Sequence, residues 1–554
     1  MSTKITPFLA VAILFGFYHL YISLLRLFRP RLPYPPGPRG YPLIGDLFNA
    51  ISNTHKGSKD INQHEWARYL EMGRKYSSDI IHVNVLGDHT LILNSAKAAT
   101  ELLEKRSGLY SDRPRLYMMS DLCGWHWNLA TMPYSNKWRL HRRIFHQDFQ
   151  AKAVSTYHPF ILQATSNFLR KLVPIEYDPL HAPEIEHVDL ESYVRDHAGS
   201  IILRVVYGIT AQEDLNDYVR LAYLASESLI ATMNHGSFFV DYLPWLKFIP
   251  AWFPGASFKQ KANTWAPMVS DLANGPWKTL KSSMANGTAL PCFATKNMEK
   301  FNLSNLDINS IENSNNLNSE PDMEEVIKNC SAIAYFGGSD TTVSLVMSSI
   351  LALSHHPEVL KKAHEELDRV VGPSRLPEIG DRDELPYIDA IIKEVERIYP
   401  VTPLGVPHRV ISDDVYEGYF IPKGTTVVPN VEAILHSEEL YQDPLKFNPD
   451  RFLRNDKDSE LPPNPELFSF GFGRRICPGR HFALDTAWVL IACLLATCDV
   501  TRPLEESQKG CRTPDPVLDY FDGEIAHPKP YKCRIVPRSI TALNLMKAGY
   551  PSEN

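Results

Sequence analysis

The longest apolar run of the chain lies near its N-terminus, where residues 5–28 read ITPFLAVAILFGFYHLYISLLRLF. At about 1.5 Å of rise per residue, a helix of this length crosses a hydrocarbon layer of about 30 Å. A cleaved signal peptide is the alternative, but the run is longer than a typical signal core and no small-x-small cleavage site follows before Arg26. The pattern predicts a transmembrane anchor helix at residues 5–28.

Charge and proline content define the surroundings of this segment. Four arginines follow within residues 26–39, whereas only Lys4 and the amino terminus precede the apolar run. The positive-inside rule predicts that residues 1–4 are lumenal and that the body of the protein is cytosolic. Residues 29–40 include PYPPGP, where locked φ angles and missing amide donors stop a helix, so a proline-rich hinge is expected there.

The remainder, residues 41–554, shows no break in composition and is interpreted as one domain. Apolar and polar residues alternate in residues 79–94 and 414–430, which predicts strands, while residues 138–399 have mainly helical periodicity. The expected turns are at Gly87-Asp88, Glu417-Gly418 and Lys423-Gly424. The fold class is therefore mainly α with small β-sheets (α+β), a single large helical domain with a β-rich lobe.

Composition and charge narrow the function. The 554 residues have a net charge of -7 and a pI of about 6.3, so no basic field is available for nucleic acid. Hydrophobic residues make up 44% and aromatic residues 11%, which suits a large core and a cavity for an apolar ligand. The eight cysteines include no C-x-x-C pair typical of structural zinc. No nicotinamide or flavin fingerprint is present, since GFGRRI at residues 471–476 lacks the third glycine.

One cysteine has a distinctive context. Cys477 lies in FGFGRRICPG, residues 470–479, immediately before a helical run that starts at His481. The glycines let the backbone turn tightly and approach a flat ligand, and amides near a helix start stabilise a thiolate. A lone cysteine is most often a buried structural thiol. The glycines and Arg475 favour a metal ligand instead.

These residues resemble the cysteine-loop pattern FxxGxRxCxG of the cytochrome P-450 superfamily, whose fixed positions are filled by Phe470, Gly473, Arg475, Cys477 and Gly479. The resemblance extends from the anchor to about residue 538. It implies the cytochrome P-450 fold and a haem b cofactor, iron protoporphyrin IX. The thiolate of Cys477 would be the axial ligand of the iron.

A second motif, GGSDTT at residues 337–342, lies inside an apolar helical run. Two adjacent glycines in a helix interior cost about 1 kcal/mol each relative to alanine, so the missing side chains are expected to make room for a cofactor and dioxygen. An acid beside a hydroxyl can form a proton relay. Helix packing is the alternative. The resemblance implies an oxygen-activation motif with Asp340 and Thr341 as catalytic residues.

A third motif pairs Glu394 with Arg397 on one face of a helix. In isolation such a pair is usually a surface ion pair that contributes little. It resembles the ExxR motif of the superfamily, in which a downstream arginine joins the pair. Arg451, in FNPDRF at residues 447–452, is at the expected place. The resemblance implies a structural triad on the cysteine side of the core.

Four residues are expected near the carboxylates of the cofactor. Trp138 and Arg142 are four apart on a helix that begins near Asn136, so their side chains face the same way. The resemblance implies that this WxxxR pair contacts a haem propionate, with Arg475 and His408 as further partners. Guanidinium and indole N–H groups are suitable donors to a carboxylate.

The resemblance implies a haem-thiolate monooxygenase that transfers one oxygen atom from O2 to an apolar small molecule. Alternatives are a haem-thiolate isomerase or dehydratase of peroxides, which has no need of a proton relay, and a non-catalytic haem-binding protein. Electrons would come from NADPH through NADPH-cytochrome P-450 reductase, docked near Arg139, Arg143, Arg474 and Arg480. The likeness to fungal microsomal members of secondary metabolism implies a single-pass protein of the endoplasmic reticulum membrane.

Two apolar segments are candidates for contact with the substrate and with lipid. Residues 116–132, LYMMSDLCGWHWNLATM, precede the predicted propionate helix, and the resemblance implies that they line the substrate pocket; core packing is the alternative. Residues 238–255, FFVDYLPWLKFIPAWFPG, are too interrupted by proline to span a membrane and too apolar for water. We expect them to contact membrane lipid beside the entrance.

Overall fold

The computed structural model describes residues 15–20, 32–38, 40–41, 45–46, 64–173, 185–233, 237–303, 322–454, 460–503, 514–516 and 519–551. Most of the anchor predicted at residues 5–28 therefore lies outside the described residues, of which 15–20 are helical. The predicted hinge at residues 29–40 is described at residues 32–38 and 40.

Helices form most of the described part of the chain, as the sequence predicts. Those of eight or more residues are α1 Glu65–Tyr76, α2 Asn136–Phe149, α3 His158–Lys171, α4 His187–Tyr207, α5 Gln212–Met233, α6 Ser257–Ala285, α7 Phe293–Lys300, α8 Met323–His355, α9 Pro357–Val370, α10 Pro386–Ile398, α11 Arg480–Thr497 and α12 Ile540–Ala548. Shorter helical segments are Ala96–Ala99, Thr100–Lys105, Ser107–Tyr110, Met118–Leu122, Trp125–Trp127, Ala151–Val154, Ser155–Tyr157, Phe239–Tyr242, Pro244–Phe248, Ile379–Glu384, Val431–Leu435, Pro449–Phe452, Glu466–Ser469 and Gly473–Arg475.

Side-chain caps fix where the two motif-bearing helices begin. The hydroxyl of Ser135 accepts a hydrogen bond from the amide of Trp138 over 3.2 Å, so α2 starts at Asn136 as expected. The carboxylate of Asp322 accepts bonds from the first amides of α8. These caps set the rotation of α2 and α8, and therefore the faces that carry Trp138 and the glycine motif.

The core is built around α8 and α11, which are buried on all sides. Helix α8 packs against α2, α4, α6 and α11. Among the described residues, α8 and α11 are the two helices long and apolar enough to cross a membrane, with 83% and 72% of the relevant windows buried. Burial of this extent identifies both as core helices of the domain.

The strands form one small mixed sheet and two ribbons, which agrees with the predicted β-rich lobe. They are β1 Ile80–Val85, β2 Asp88–Leu93, β3 His408–Arg409, β4 Asp414–Tyr416, β5 Tyr419–Ile421, β6 Thr426–Pro429, β7 Cys498–Thr501 and β8 Arg534–Pro537. The four-stranded sheet has the order β1-β2-β6-β3, with β2 parallel to β6. The pairs β4-β5 and β7-β8 are antiparallel ribbons.

Two of the three expected turns differ in detail from the prediction. The β1-β2 turn is made by Leu86 and Gly87, both at positive φ, whereas Asp88 is already paired with Val85. The turn at Glu417-Gly418 joins β4 to β5 as predicted. After residues 423–424 the chain leaves this ribbon, because β6 pairs with β2 and β3 in the larger sheet.

The described part of the proline segment lies against the β-rich lobe. The carbonyl of Pro36 accepts a hydrogen bond from the amide of His82 over 2.8 Å, and that of Pro33 accepts one from the amide of Phe420 over 2.8 Å. The ring of Tyr34 stacks on His82 with a centroid distance of 4.9 Å. The segment is therefore attached to the domain at several points.

Candidate active site

Cys477 lies at the end of a loop that leads directly into α11. Its amide donates a hydrogen bond to the carbonyl of Phe470 over 2.8 Å, which closes the loop. Gly473 has a φ of 53°, and a Cβ at this position would stand 2.4 Å from the carbonyl oxygen of Leu103. This glycine allows two backbone segments to pack closely, so its role is contact within the protein and not approach to a flat ligand.

The sulfur of Cys477 faces groups that favour a negative charge. Burial raises the pKa of this thiol and is the largest effect, but amide hydrogen bonds from Gly479 and Arg480 and the charge of Arg142 act against it. The thiol of Cys330 inside α8 has a pKa raised by burial alone. Because a bound metal cation deprotonates a thiol, Cys477 is prepared to act as a thiolate ligand.

Arg475, two residues before the cysteine, is buried and fixed by backbone. Its Nε donates to the carbonyl of Ser111 over 2.7 Å, and its other donors reach Met132 at 2.8 Å. The guanidinium lies 4.3 Å from the ring centroid of Trp138. Burial, together with the charge of Arg142, lowers the pKa of Arg475 to about 9. The indole and the guanidinium predicted to share a carboxylate are therefore neighbours.

A second buried arginine, Arg113, stands beside Arg475. It donates to the carbonyls of Ala130 at 2.8 Å, Val406 at 2.6 Å and Pro407 at 2.7 Å. Burial holds its pKa well below the usual range, and the charge of Arg475 lowers it further. Sequence reasoning did not identify Arg113, because no local motif distinguishes it from the neighbouring arginines.

His408 opens β3 and is also buried. Its Nδ1 lies 2.7 Å from the carbonyl oxygen of Tyr110, so Nδ1 carries the proton and donates it. Burial lowers the pKa of His408 well below its usual value, and the charges of Arg113 and Arg475 act in the same direction. In the neutral ring, Nε2 is an acceptor; a carboxylate placed there would favour a proton on Nε2.

Arg113, Arg142, His408 and Arg475 together form what we term the basic cluster. Burial lowers the pKa of every member, and Arg142 makes no hydrogen bond or ion pair with any residue in the described ranges. Arg113 and Arg475 are buried cations and Arg142 is half-buried, and cations in such places require an anionic partner. A cofactor with two carboxylates and a metal ion that accepts a thiolate fits these residues.

The glycine motif on α8 places one glycine toward open space and one against protein. A Cβ at Gly337 would have no atom within 4 Å, whereas a Cβ at Gly338 would stand 3.0 Å from the side chain of Ile202 on α4. The hydroxyl of Thr341 donates to the carbonyl of Gly337 over 2.7 Å. Only Gly337 thus makes room beside the helix, while Gly338 allows α4 to pack on α8.

Asp340 is held in an ion-pair network instead of facing Thr341. Arg195 on α4 donates to its Oδ1 over 2.7 Å, and the Nε2 of His527 lies 3.3 Å from its Oδ2. Burial acts to raise the pKa of Asp340, but His527 and Arg195 outweigh it and hold the pKa well below the usual range. Arg195 also donates to Glu191 over 2.8 Å. No hydrogen bond joins Asp340 to Thr341.

The predicted triad is present around the buried carboxylate of Glu394. Arg397 donates to both of its oxygens, over 2.7 and 2.9 Å, and Arg451 donates to Oε1 over 3.1 Å. Arg397 also donates to the carbonyl of Leu435, and the amide of Asn448 donates to Glu394. The triad joins α10 to the segment that precedes the cysteine loop.

An aromatic wall lies next to Gly337. Trp125 is fully buried, with ring-centroid distances of 4.9 Å to Phe336 and 5.2 Å to Trp127. Its Nε1 donates to the hydroxyl of Ser228 on α5 over 3.1 Å. The segment at residues 116–132 is therefore connected to both α5 and α8.

The site brings together residues that are far apart in sequence. Arg142 acts by its charge on both Cys477 and Arg475. Arg475 in turn lies against Trp138 and acts by its charge on His408. Asp340 and Thr341 lie on α8 but contact different neighbours. A cysteine at the start of a core helix, beside a cluster of basic residues without carboxylate partners, defines a haem-thiolate protein.

Comparisons with known proteins agree with this class. A sequence model of the family described as Cytochrome P-450 matches residues 35–518. A cytochrome P-450 monooxygenase of Armillaria gallica is 37% identical over 535 residues, covering 95% of this chain and 96% of its own. One from Postia placenta is 37% identical over 520 residues, covering 94% and 93%. A tryptamine 4-monooxygenase of Psilocybe cyanescens is 34% identical over 528 residues, covering 94% and 95%.

The chain belongs to the cytochrome P-450 family. Membership implies a haem cofactor with a cysteine thiolate ligand. The relatives named as monooxygenases match nearly the whole chain, so the activity is that of a cytochrome P-450 monooxygenase.

Proposed function

We propose that the protein inserts one oxygen atom from O2 into an apolar small molecule, a secondary metabolite. Cys477 would be the axial ligand of haem b. The position of Cys477 carries the proposal, because its sulfur lies among the amides that open α11 and next to the basic cluster. When bound, haem with a thiolate ligand supplies the electron density that favours cleavage of dioxygen. The residues of the chain would bind the cofactor, orient the substrate and supply protons.

The basic cluster and Trp138 would bind the two carboxylates of the cofactor. Arg475 and Arg113 are already oriented by backbone carbonyls, so little side-chain entropy is lost when a carboxylate arrives. Arg142 has unused donors. His408 needs a proton on Nε2 to donate, and the charge of a carboxylate favours this form.

Proton supply would use Asp340 and Thr341 as separate elements. Asp340 is a carboxylate at neutral pH, so it would serve as a fixed hydrogen-bond acceptor that orients His527 and solvent molecules for proton delivery. The oxygen of Thr341 would accept a hydrogen bond from a solvent molecule beside Gly337 while its own O–H group continues to donate to the carbonyl of Gly337. Arg195 keeps Asp340 in place between turnovers.

Electrons would come from NADPH through NADPH-cytochrome P-450 reductase. Support comes from the cysteine side of the domain, where Arg139, Arg143 and Arg474 are exposed and Arg480 is partly exposed. A positive surface of this kind complements an acidic flavoprotein surface and increases the rate of encounter. Loss of these charges would weaken docking while leaving the cysteine loop intact.

A location on the endoplasmic reticulum membrane, with one spanning helix at residues 5–28 and a cytosolic catalytic domain, is part of the proposal. Residues 238–255 support contact with lipid, because Phe248 is 78% exposed and Trp252 is 80% exposed. Exposed aromatic side chains next to Lys247 are typical of segments that enter the headgroup layer.

The substrate pocket would lie between α5, α8 and the segment at residues 116–132. The aromatic wall of Trp125, Trp127 and Phe336 favours a ligand with a ring system. The Psilocybe cyanescens relative is named for an indole amine, and an aromatic metabolite of this kind is compatible with the wall. The peroxide isomerase or dehydratase and the non-catalytic carrier are not retained, because the relatives are monooxygenases.

Product analysis tests the proposal. The full chain is coexpressed with a fungal NADPH-cytochrome P-450 reductase in microsomes and supplied with aromatic, terpenoid and polyketide compounds. We expect an NADPH-dependent product that is heavier by one oxygen atom and that carries label from isotopic O2. Microsomes that contain the reductase but not this chain control for background oxidation. Product without label from O2 would contradict the proposal.

A further inference from the structure

Tyr134 stands between the cysteine loop and the first turn of α2. Its amide donates a hydrogen bond to Oδ1 of Asp112 over 2.8 Å, and the capping residue Ser135 follows it directly. Arg474, from the cysteine loop, donates to the hydroxyl of Tyr134 over 2.6 Å. The side chain is partly exposed. Tyr134 therefore joins the cysteine loop to α2 at the surface of the domain.

Two guanidinium groups share the ring of this tyrosine. The guanidinium carbon of Arg139 lies 5.0 Å from the ring centroid, and that of Arg474 lies 5.7 Å from it. Burial acts to raise the pKa of Tyr134, but hydrogen bonds and charges of Arg474 and Arg139 outweigh it and lower the pKa. Because an aromatic face attracts a cation, Tyr134 limits the positions that both arginine side chains adopt.

Neither of the two arginines forms an ion pair within the part of the chain that the structure describes. Arg139 donates to the side-chain oxygen of Asn136, on its own helix, over 3.3 Å, and Arg474 donates to the phenol. By contrast, the exposed Lys137 on the same helix pairs with Glu325 over 3.4 Å. Two positive charges held beside one ring repel each other. The arrangement therefore favours an anionic partner from outside the chain.

A held arginine is a better docking group than a free one. Ordering a long side chain at an interface costs affinity, and a residue that orders it in the free protein removes part of this cost. Arg143, one turn after Arg139 on α2, gives the comparison. It is exposed, and it makes no hydrogen bond, ion pair or ring contact with another residue in the described ranges.

We propose that Tyr134 is a positioning residue for electron delivery, which holds Arg474 and Arg139 in the arrangement that meets the carboxylates of the flavoprotein reductase. The inference rests on the proposed docking of NADPH-cytochrome P-450 reductase on this face, and it names a residue that prepares the face for docking. Tyr134 acts through the two arginines. It contacts neither the substrate nor the reacting atoms.

Binding of a fungal reductase to the haem-loaded full chain, in nanodiscs of phosphatidylcholine, tests this directly. The lipid has no net charge, so anionic headgroups do not compete for the arginines. Tyr134→Phe removes the hydroxyl that accepts from Arg474 but keeps the ring, which lies 5.1 Å from that of Trp138. We expect the dissociation constant of the reductase to rise about 3- to 10-fold, the cost of ordering one long side chain. Haem content and the carbon monoxide spectrum should not change.

Steady-state kinetics give a second measurement. The reductase concentration that gives half-maximal NADPH oxidation should rise in Tyr134→Phe by the same factor as the dissociation constant. The maximal rate at saturating reductase should stay that of wild type, because the hydroxyl acts on docking alone. A lower maximal rate with an unchanged half-maximal concentration would overturn the inference.

A double-mutant cycle identifies the path of the effect. Arg474→Gln should weaken reductase binding at least as much as Tyr134→Phe does, and the double variant should match Arg474→Gln alone within about 2-fold. Arg143→Gln is the matched control, since it removes one positive charge from the same face. Its effect should multiply with that of Tyr134→Phe.

Wild-type affinity of Tyr134→Phe, or multiplication of its effect with that of Arg474→Gln, would overturn the inference. If Tyr134→Phe takes up no haem, the single arginine variants decide. Arg474→Gln should then weaken binding more than Arg143→Gln, and equal effects would overturn the inference. A reductase that does not bind wild type, or that binds all arginine variants equally well, would contradict the proposed docking face itself.

Discussion

The two adjacent glycines of α8 are predicted to respond in opposite ways to the same substitution. Neither has a positive φ, so replacement by alanine gains about 0.5–1 kcal/mol of helix stability at either position. At Gly337 the new methyl group meets no atom within 4 Å. At Gly338 it meets the buried Ile202 at 3.0 Å, and overpacking of this kind costs about 1–3 kcal/mol.

Because the helix gain is common to both variants, the difference in their free energies of unfolding equals the overpacking cost, about 1–3 kcal/mol. We expect Gly337→Ala to be as stable as wild type or more so, and Gly338→Ala to be less stable than Gly337→Ala. Equilibrium unfolding of the haem-loaded protein in urea, followed by far-ultraviolet circular dichroism, measures the difference. Product formation should show the reverse order, because only the methyl group at position 337 enters the open space beside α8.

A double-mutant cycle identifies the cause. Ile202→Ala should destabilise the Gly338→Ala background less than it destabilises wild type, by an amount close to the overpacking cost. The same change should cost equally in wild type and in the Gly337→Ala background. Equal stabilities of the two alanine variants, or additivity in both cycles, would refute the assignment of one glycine to the ligand side and the other to helix packing.

Three further outcomes are expected. Thr341→Ala should keep its haem but form less product and more peroxide per NADPH oxidised, which the ratio of product to NADPH measures. Asp340→Asn should mainly slow turnover, which the rate of NADPH oxidation measures. Glu394→Gln leaves two arginines of the buried triad without their carboxylate and should lower the free energy of unfolding by about 3–5 kcal/mol, measured in urea. Deletion of residues 1–28 should release only part of the protein from membranes, since residues 238–255 remain, which flotation assays with lipid vesicles would show.

Each of these outcomes has a clear contradiction. An unchanged product ratio in Thr341→Ala would assign the protons to other residues. Wild-type stability of Glu394→Gln would show that the triad contributes nothing to the fold. Complete solubility of the truncated protein in low salt would remove lipid contact by residues 238–255, whereas the monooxygenase assignment would be unaffected.

Local patterns in the sequence were enough to predict the helices, the strands and the motifs whose residues are contiguous. The cysteine loop, the start of α2 after Ser135 and the β4-β5 turn agree with the prediction, because each depends on residues within a few positions. The sheet to which β6 belongs could not be predicted in this way. Its partners β2 and β3 are chosen by tertiary packing, so alternation alone suggested a longer ribbon.

The active-site residues also depend on contacts that local sequence patterns do not predict. Adjacent residues on a helix do not face each other, which is why Asp340 and Thr341 make separate contacts although the motif presents them as a pair. Arg195 and His527, the partners of Asp340, lie 145 and 187 residues away along the chain. Arg113 likewise acquires its position from carbonyls nearly 300 residues away. Contacts of such separation have no local signal in a single sequence.

The central claim is that Cys477 supplies the thiolate ligand of the haem, and the spectrum of the reduced carbon monoxide complex tests it most directly. Cys477→Ala is compared with Cys498→Ala, a buried cysteine at the start of β7 that is remote from the loop. The account predicts that the thiolate-type band persists in Cys498→Ala and disappears in Cys477→Ala, with the domain still folded by circular dichroism. A thiolate-type band in Cys477→Ala would contradict the account.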